Sequence, residues 1–251
     1  MPFDGLLWLL ILLGPLLILQ RGLHREIQSI FLLITRRGDI SLALFSLLFF
    51  PGVLLHETSH YIMAVILGVQ TGRFSLLPQP LENGRLQLGF VETEPTDFLR
   101  DALIGVAPLL TGGLFVTYAG LARLGFGSLW QGLVGGDAAA FWAALAALPN
   151  QNDFWLWFYL ALTVSSTMLP SASDRRAWQP LALVLGALLV VTLLVGAGPW
   201  LLDNFAPPLN QGLRALAGVL GISVVMHLAF WLPSMLLRRL LSKVTAQEVV
   251  G

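Results

Sequence analysis

Cysteine is absent from the 251 residues, which excludes a disulfide framework, thiolate catalysis and a thiolate-held metal. Charge is nearly as scarce. Only 11% of the residues are Asp, Glu, Lys or Arg, against about 25% in a soluble domain, so most of the surface is not built to face water. A mean hydropathy of +0.79 makes the lipid bilayer the expected partner of that surface. No sign of charge dominates either: 14 basic residues balance 14 acidic ones, leaving no basic face for nucleic acid. Tandem repeats, low-complexity tracts and a polar second domain are also lacking, and 1–251 reads as one domain. The opening MPFDGLLWLLILLGPLLILQ has no basic leader and no small-residue cleavage site, and it carries Asp4. It is expected to be a retained helix, not a signal peptide.

Long apolar runs, by contrast, are plentiful. Stretches near the roughly 20 residues needed to span a bilayer fall at 3–20, 40–69, 97–122, 153–171, 179–201 and 212–237. The expectation is an all-α polytopic membrane protein of about six transmembrane helices. Within 125–150 the apolar part, Asp137 to Pro149, is too short to cross and suits an interfacial or re-entrant helix. The run NDFWLWFYL (152–160) fits an interfacial aromatic belt. One segment breaks the helical pattern. In 72–95, Asn83-Gly84 is a strong two-residue hairpin signal, followed by alternation of Arg85, Gln87 and Gly89 with Leu86, Leu88 and Phe90. Pro78 and Pro80 confine the first strand to an edge. A short membrane-associated β-hairpin after the second helix is expected.

The chemistry lies in FFPGVLLHETSHYIMAVILGV, 49–69. Three ionisable side chains fall within five residues of a run apolar enough to be inside a membrane, where each costs about 2.5 kcal/mol or more. On a helix, positions i and i+4 share a face, so His56 and His60 project together as imidazole ligands for zinc. Glu57 lies beside that face, placed to take a proton from water activated by the ion. This is the H-E-x-x-H arrangement. Pro51-Gly52, just upstream, is a candidate kink that admits water.

Two imidazoles leave a catalytic zinc one protein ligand short. Asp174 is the candidate third, because its helix runs parallel to the motif helix and reaches a matching depth. Asp101 is the nearest acidic rival, and mid-span His227 is a rival ligand or a hydrogen-bonding partner of a neighbouring helix. His24, in the basic stretch QRGLHREIQ, reads as surface.

Taken together, His56-Glu57-Thr58-Ser59-His60, the 72–95 hairpin, Ala107-Pro108-Leu109-Leu110-Thr111 and Thr167-Met168-Leu169-Pro170 leading to Asp174 resemble the site-2 protease family of intramembrane zinc metalloproteases. The resemblance covers roughly 40–180. It leaves 1–20, 179–201 and 212–237 as extra helices, and no PDZ-like insert is present. Thr111 and Thr167 stand where that family has Asn. Asp174 follows Pro170 more closely than in the family, and Arg175 replaces a Gly. The resemblance implies hydrolysis of peptide bonds in or near the membrane, Zn2+ on His56, His60 and Asp174, and Glu57 as base. It further implies a membrane-protein substrate, with Leu86, Leu88, Thr111 and Thr167 as substrate-binding candidates.

Two other classes fit parts of the pattern, a metal or proton transporter and a catalytically silent binding relative. Ionisable groups clustered at one depth count against the first, and the intact Glu57 against the second. With six alternating crossings the hairpin, Asp174 and the C-terminal tail share a side. That side takes Arg73, Arg85, Arg100, Arg175, Arg176, Arg238, Arg239 and Lys243, against Arg21, Arg25, Arg36, Arg37, Arg123 and Arg214 opposite. The basic excess and the resemblance both set it in the cytoplasm, across a cell's inner membrane.

Overall fold

The structure is a computed structural model that describes residues 4–76, 78–80 and 86–245. Helices dominate it, as the apolar runs require. Four are long and apolar enough to cross a membrane: α1 (Asp4–Thr35), α2 (Gly38–Ile66), α3 (Phe98–Tyr118, continued by a π-helical turn to Arg123) and α9 (Ala206–Thr245). Between them lie α4 (Phe126–Val134), α5 (Ala138–Ala147), α6 (Phe154–Thr167), α7 (Trp178–Leu194) and α8 (Gly198–Asn204). Short strands β1 (Thr71–Ser75), β2 (Gln79–Pro80), β3 (Leu86–Gln87) and β4 (Phe90–Thr93) separate α2 from α3.

The strands bear out a β-hairpin in this segment. β1 pairs antiparallel with β4, Ser75 opposite Phe90, and β2 with β3, Pro80 opposite Leu86. The Asn83-Gly84 turn and Arg85 lie outside the described residues. A bulge between Thr71 and Phe74 interrupts the first ladder, which twists a strand locally.

Helix directions follow from the pairs that join them. α1 and α2 are antiparallel: Ser41 donates to the Gln28 carbonyl, and His24 packs edge-on against Phe45 and Phe49. α2 and α3 are antiparallel too, with His60 meeting Ile104. The N-terminal ends of α1 and α3, the C-terminal end of α2 and the hairpin therefore share one end of the bundle. α9 begins at that same end, since Arg214 pairs with Asp4 and Asn210 accepts from the Gly5 amide at 2.8 Å. It then runs beside α1 in the same direction, so that Arg238 pairs with Glu26 farther along.

Six alternating crossings would set the first and last helices antiparallel; they are parallel. The difference arises between α6 and α9. α7 starts at the hairpin end and the chain has returned to that end by Ala206, so 179–201 does not add a crossing to the alternation. α7 has 17 residues, all outside the packed interior. Its composition reads like a crossing helix, but composition does not encode direction. α4 and α5 pack on each other at the opposite end, as two short helices and not one span. The core lies among α1, α2, α3, α6 and α9, around Leu23, Phe45, Phe49, Leu124 and Met226.

Candidate metal centre

His56 and His60 sit one turn apart on α2, and both turn the Nε2 edge toward Asp174. The nitrogens are 3.1 Å from each other. Asp174 presents Oδ2 at 3.6 Å from His56 Nε2 and Oδ1 at 3.4 Å from His60 Nε2. A zinc ion about 2.0–2.1 Å from tetrahedral ligands holds them about 3.3–3.4 Å apart. Each imidazole is nearest a different Asp174 oxygen at about that spacing. The three ligand atoms, taken one per residue, lie within 4.8 Å of one another, and the three side chains could hold a metal ion. Two imidazole lone pairs facing each other across 3.1 Å repel unless a cation or a proton lies between them.

The tautomer fits as well. His60 Nδ1 lies 2.8 Å from the Ile104 carbonyl. A carbonyl only accepts, so Nδ1 carries the proton and Nε2 keeps the lone pair that a metal needs. His56 Nδ1 is buried and has no hydrogen-bond partner.

Asp174 lies in the turn segment between α6 and α7. The Ser171 amide donates to its Oδ2 at 2.7 Å. Burial by itself would raise this carboxyl; the Ser171 hydrogen bond lowers it, as His56 and His60 would if protonated at Nε2. The segment reaches the imidazoles because α3 offers no side chain at Gly105. A Cβ there would lie 2.0 Å from the Asp174 carbonyl oxygen. Arg175 does not hold the Asp174 carboxylate; its Nε donates to the Ser171 carbonyl at 3.1 Å.

Glu57 is buried beside the two imidazoles, and the hairpin passes directly over it: a Cβ on Gly89 would lie 2.9 Å from Glu57 Cγ. The four substrate-binding candidates lie around this arrangement. Leu88 packs against the main core cluster, and Leu86 occupies β3 opposite Pro80. Thr111 shares a hydroxyl hydrogen bond with Ser59 across the α2–α3 contact. The Thr167 hydroxyl donates back to the Thr163 carbonyl at 3.1 Å, against α2. Gly52 faces the same contact, where a Cβ would lie 2.3 Å from the Thr163 carbonyl oxygen. It allows close packing of α2 against α6, and α2 continues as helix through Pro51.

The rivals for the third ligand position are occupied elsewhere. Asp101 accepts two hydrogen bonds from Arg176, both 2.7 Å. His227 is fully buried, with Nδ1 donating to the Ser223 carbonyl at 2.7 Å and Nε2 facing the Ser166 hydroxyl at 2.8 Å. His24 is not a surface residue: Phe45 and Phe49 wall its ring, and its Nε2 is buried. A basic sequence neighbourhood concealed that, because Arg21 and Arg25 point outward from the same helix. Compared with protein-family models, with curated proteins and with solved structures, the chain matches none.

Proposed function

We propose that this chain is an intramembrane zinc metalloprotease, similar in kind to the site-2 protease family. Its reaction is hydrolysis of peptide bonds in or near the transmembrane segments of membrane-protein substrates. One observation carries the reading: His56, His60 and Asp174 converge at ligand spacing with Glu57 beside them. Zn2+ on these three side chains would supply a Lewis acid and leave a position open for water or substrate. Glu57 is the general base. It takes a proton from the attacking water and passes it to the departing amine nitrogen as the C–N bond breaks. The Ile104 carbonyl keeps His60 in the ligating tautomer.

A membrane helix must unwind before its peptide bonds are reachable, and an extended segment then pairs with a strand edge. The hairpin above Glu57 supplies such edges, and Leu86 and Leu88 belong to the segment proposed to present substrate. Thr111 and Thr167 serve it from behind, by fixing α3 and α6 against α2. In this reading α1, α2, α3, α6 and α9 cross the bilayer of a cell's inner membrane, with the metal centre toward the cytoplasm as the resemblance implies.

His227, buried, and His24, half-buried with its Nε2 enclosed, are what a metal or proton transporter would need. Both nitrogens of His227 are bonded within the bundle and Phe rings wall His24, so these residues fit packing better than a path. The deciding experiment uses purified chain in proteoliposomes with a membrane-protein substrate. Glu57→Gln is expected to abolish cleavage and to retain about one zinc per chain, since the base is not a ligand. Retained cleavage or lost zinc would falsify the assignment, and metal flux without cleavage in the parent chain would establish the transporter.

A further inference from the structure

His56 and His60 are held by a helix, but Asp174 stands on a turn segment with no helix of its own. A ligand on such a segment binds well only if neighbouring groups fix it. What fixes it here is the first part of α3. Asp97 caps that helix, accepting from the Leu99 and Arg100 amides at 3.1 Å each. Asp101, Ile104 and Gly105 then fall on one face, three and four residues apart. Each does one thing for the centre. The Ile104 carbonyl orients His60. Gly105 receives the Asp174 backbone at a distance no side chain would permit. Asp101 grips Arg176, two residues beyond Asp174, through two parallel hydrogen bonds of 2.7 Å.

We propose that the Asp101–Arg176 pair is a positioning clamp for the third metal ligand, and that it also occupies a guanidinium that would otherwise compete for the Asp174 carboxylate. Paired planar forks of this kind fix geometry as well as charge. The Asp101 side chain is only 16% exposed, whereas Arg176 is 57% exposed. Loss of Asp101 therefore frees a cation near Asp174, while loss of Arg176 merely loosens the segment. The inference rests on the metal reading above, and the two are separable by experiment.

The probe is Zn2+ alone, competed against a chromophoric chelator, on the full chain in detergent. Asp101→Asn is expected to weaken Zn2+ binding by about 10–100-fold, the range for partners that orient a ligand. Asp101→Glu should weaken it less. The double variant Asp101→Asn/Arg176→Gln should bind more tightly than Asp101→Asn alone, because the competing guanidinium is gone. A merely structural role would not give that recovery. Arg73→Gln, which breaks the exposed hairpin pair with Glu92 at the same end of the bundle, is the control and should leave affinity unchanged. Arg176→Gln, altered on its exposed side, keeps the comparison readable if Asp101→Asn does not fold. An unchanged dissociation constant in Asp101→Asn and Arg176→Gln, with binding lost in His60→Ala, would overturn the clamp and leave the metal centre standing. Zn2+ binding that survives His60→Ala would overturn the metal centre and the clamp with it.

Discussion

At the scale of single residues, what could be foreseen was chemistry at fixed spacing. His56 and His60 had to share a face because i and i+4 always do on a helix. Asp174 was expected from the ligand count and from depth on a helix parallel to α2, but α6 ends at Thr167 and a turn segment, not that helix, brings Asp174 beside the imidazoles. Gly105 could not be foreseen, because its role is defined by a carbonyl oxygen far along the chain. The same holds for Asp101, whose partner Arg176 is supplied by the fold. Glycine gives a sharp test at this scale. Gly105→Ala places a methyl group 2.0 Å from the Asp174 carbonyl oxygen, so the turn segment must move. It is expected to weaken Zn2+ binding by about tenfold or more, comparable to losing an orienting partner. Gly186→Ala on α7 meets nothing within 4 Å. It should leave Zn2+ affinity unchanged, and in a helix interior it stabilises by about 0.5–1 kcal/mol. Chelator competition on the two variants side by side measures the contrast. Equal affinities would show that Asp174 reaches the imidazoles without the room that Gly105 provides.

At the scale of elements, type was legible and use was not. The period-2 alternation after Asn83-Gly84 announced strands, and strands are there. Nothing in that pattern said that Gly89 would lie on Glu57. Pro51-Gly52 read as a candidate kink, and Gly52 has a further use that the sequence did not show, since it faces α6 at backbone distance. α7 read as a crossing, because hydropathy reports what a helix is made of and not which end of the bundle it returns to. The proposed role of the hairpin in presenting substrate can be tested on its own. Proline removes a main-chain donor and weakens a ladder, so Leu86→Pro should slow cleavage of a membrane substrate and leave bound zinc unchanged. A fall in zinc content would mean that the hairpin supports the metal centre itself. Unaltered turnover would remove it from substrate handling.

At the scale of the whole molecule, the parallel run of α1 and α9 decides the topology. α1 has 32 residues and α9 has 40, about 48 and 60 Å at 1.5 Å per residue, so both outreach a hydrocarbon core of about 30 Å. Their shared direction rests on Arg214–Asp4 at one end and Arg238–Glu26 farther along. If both helices cross, the C-terminal end of α9 and the hairpin lie on opposite faces of the membrane. The basic residues regroup accordingly. Arg73, Arg100, Arg175, Arg176 and Arg214 stay with the metal centre among the described residues, while Arg21, Arg25, Arg36, Arg37, Arg123, Arg238, Arg239 and Lys243 fall toward the other end. The basic excess that favoured the cytoplasm for the metal centre now runs against it, so that orientation rests on the resemblance alone. A chain without cysteine lets this be measured cleanly. Glu94→Cys, between β4 and α3, and Lys243→Cys, near the end of α9, are both exposed positions. In sealed vesicles of known sidedness, a membrane-impermeant maleimide should label one of them from outside and the other only after permeabilisation. Labelling of both from the same face would mean an even number of crossings and would break the parallel pairing of α1 and α9. If they differ, protection of Glu94→Cys in right-side-out vesicles sets the metal centre toward the cytoplasm. Its labelling there would instead make the opposite end cytoplasmic, in line with the positive charge.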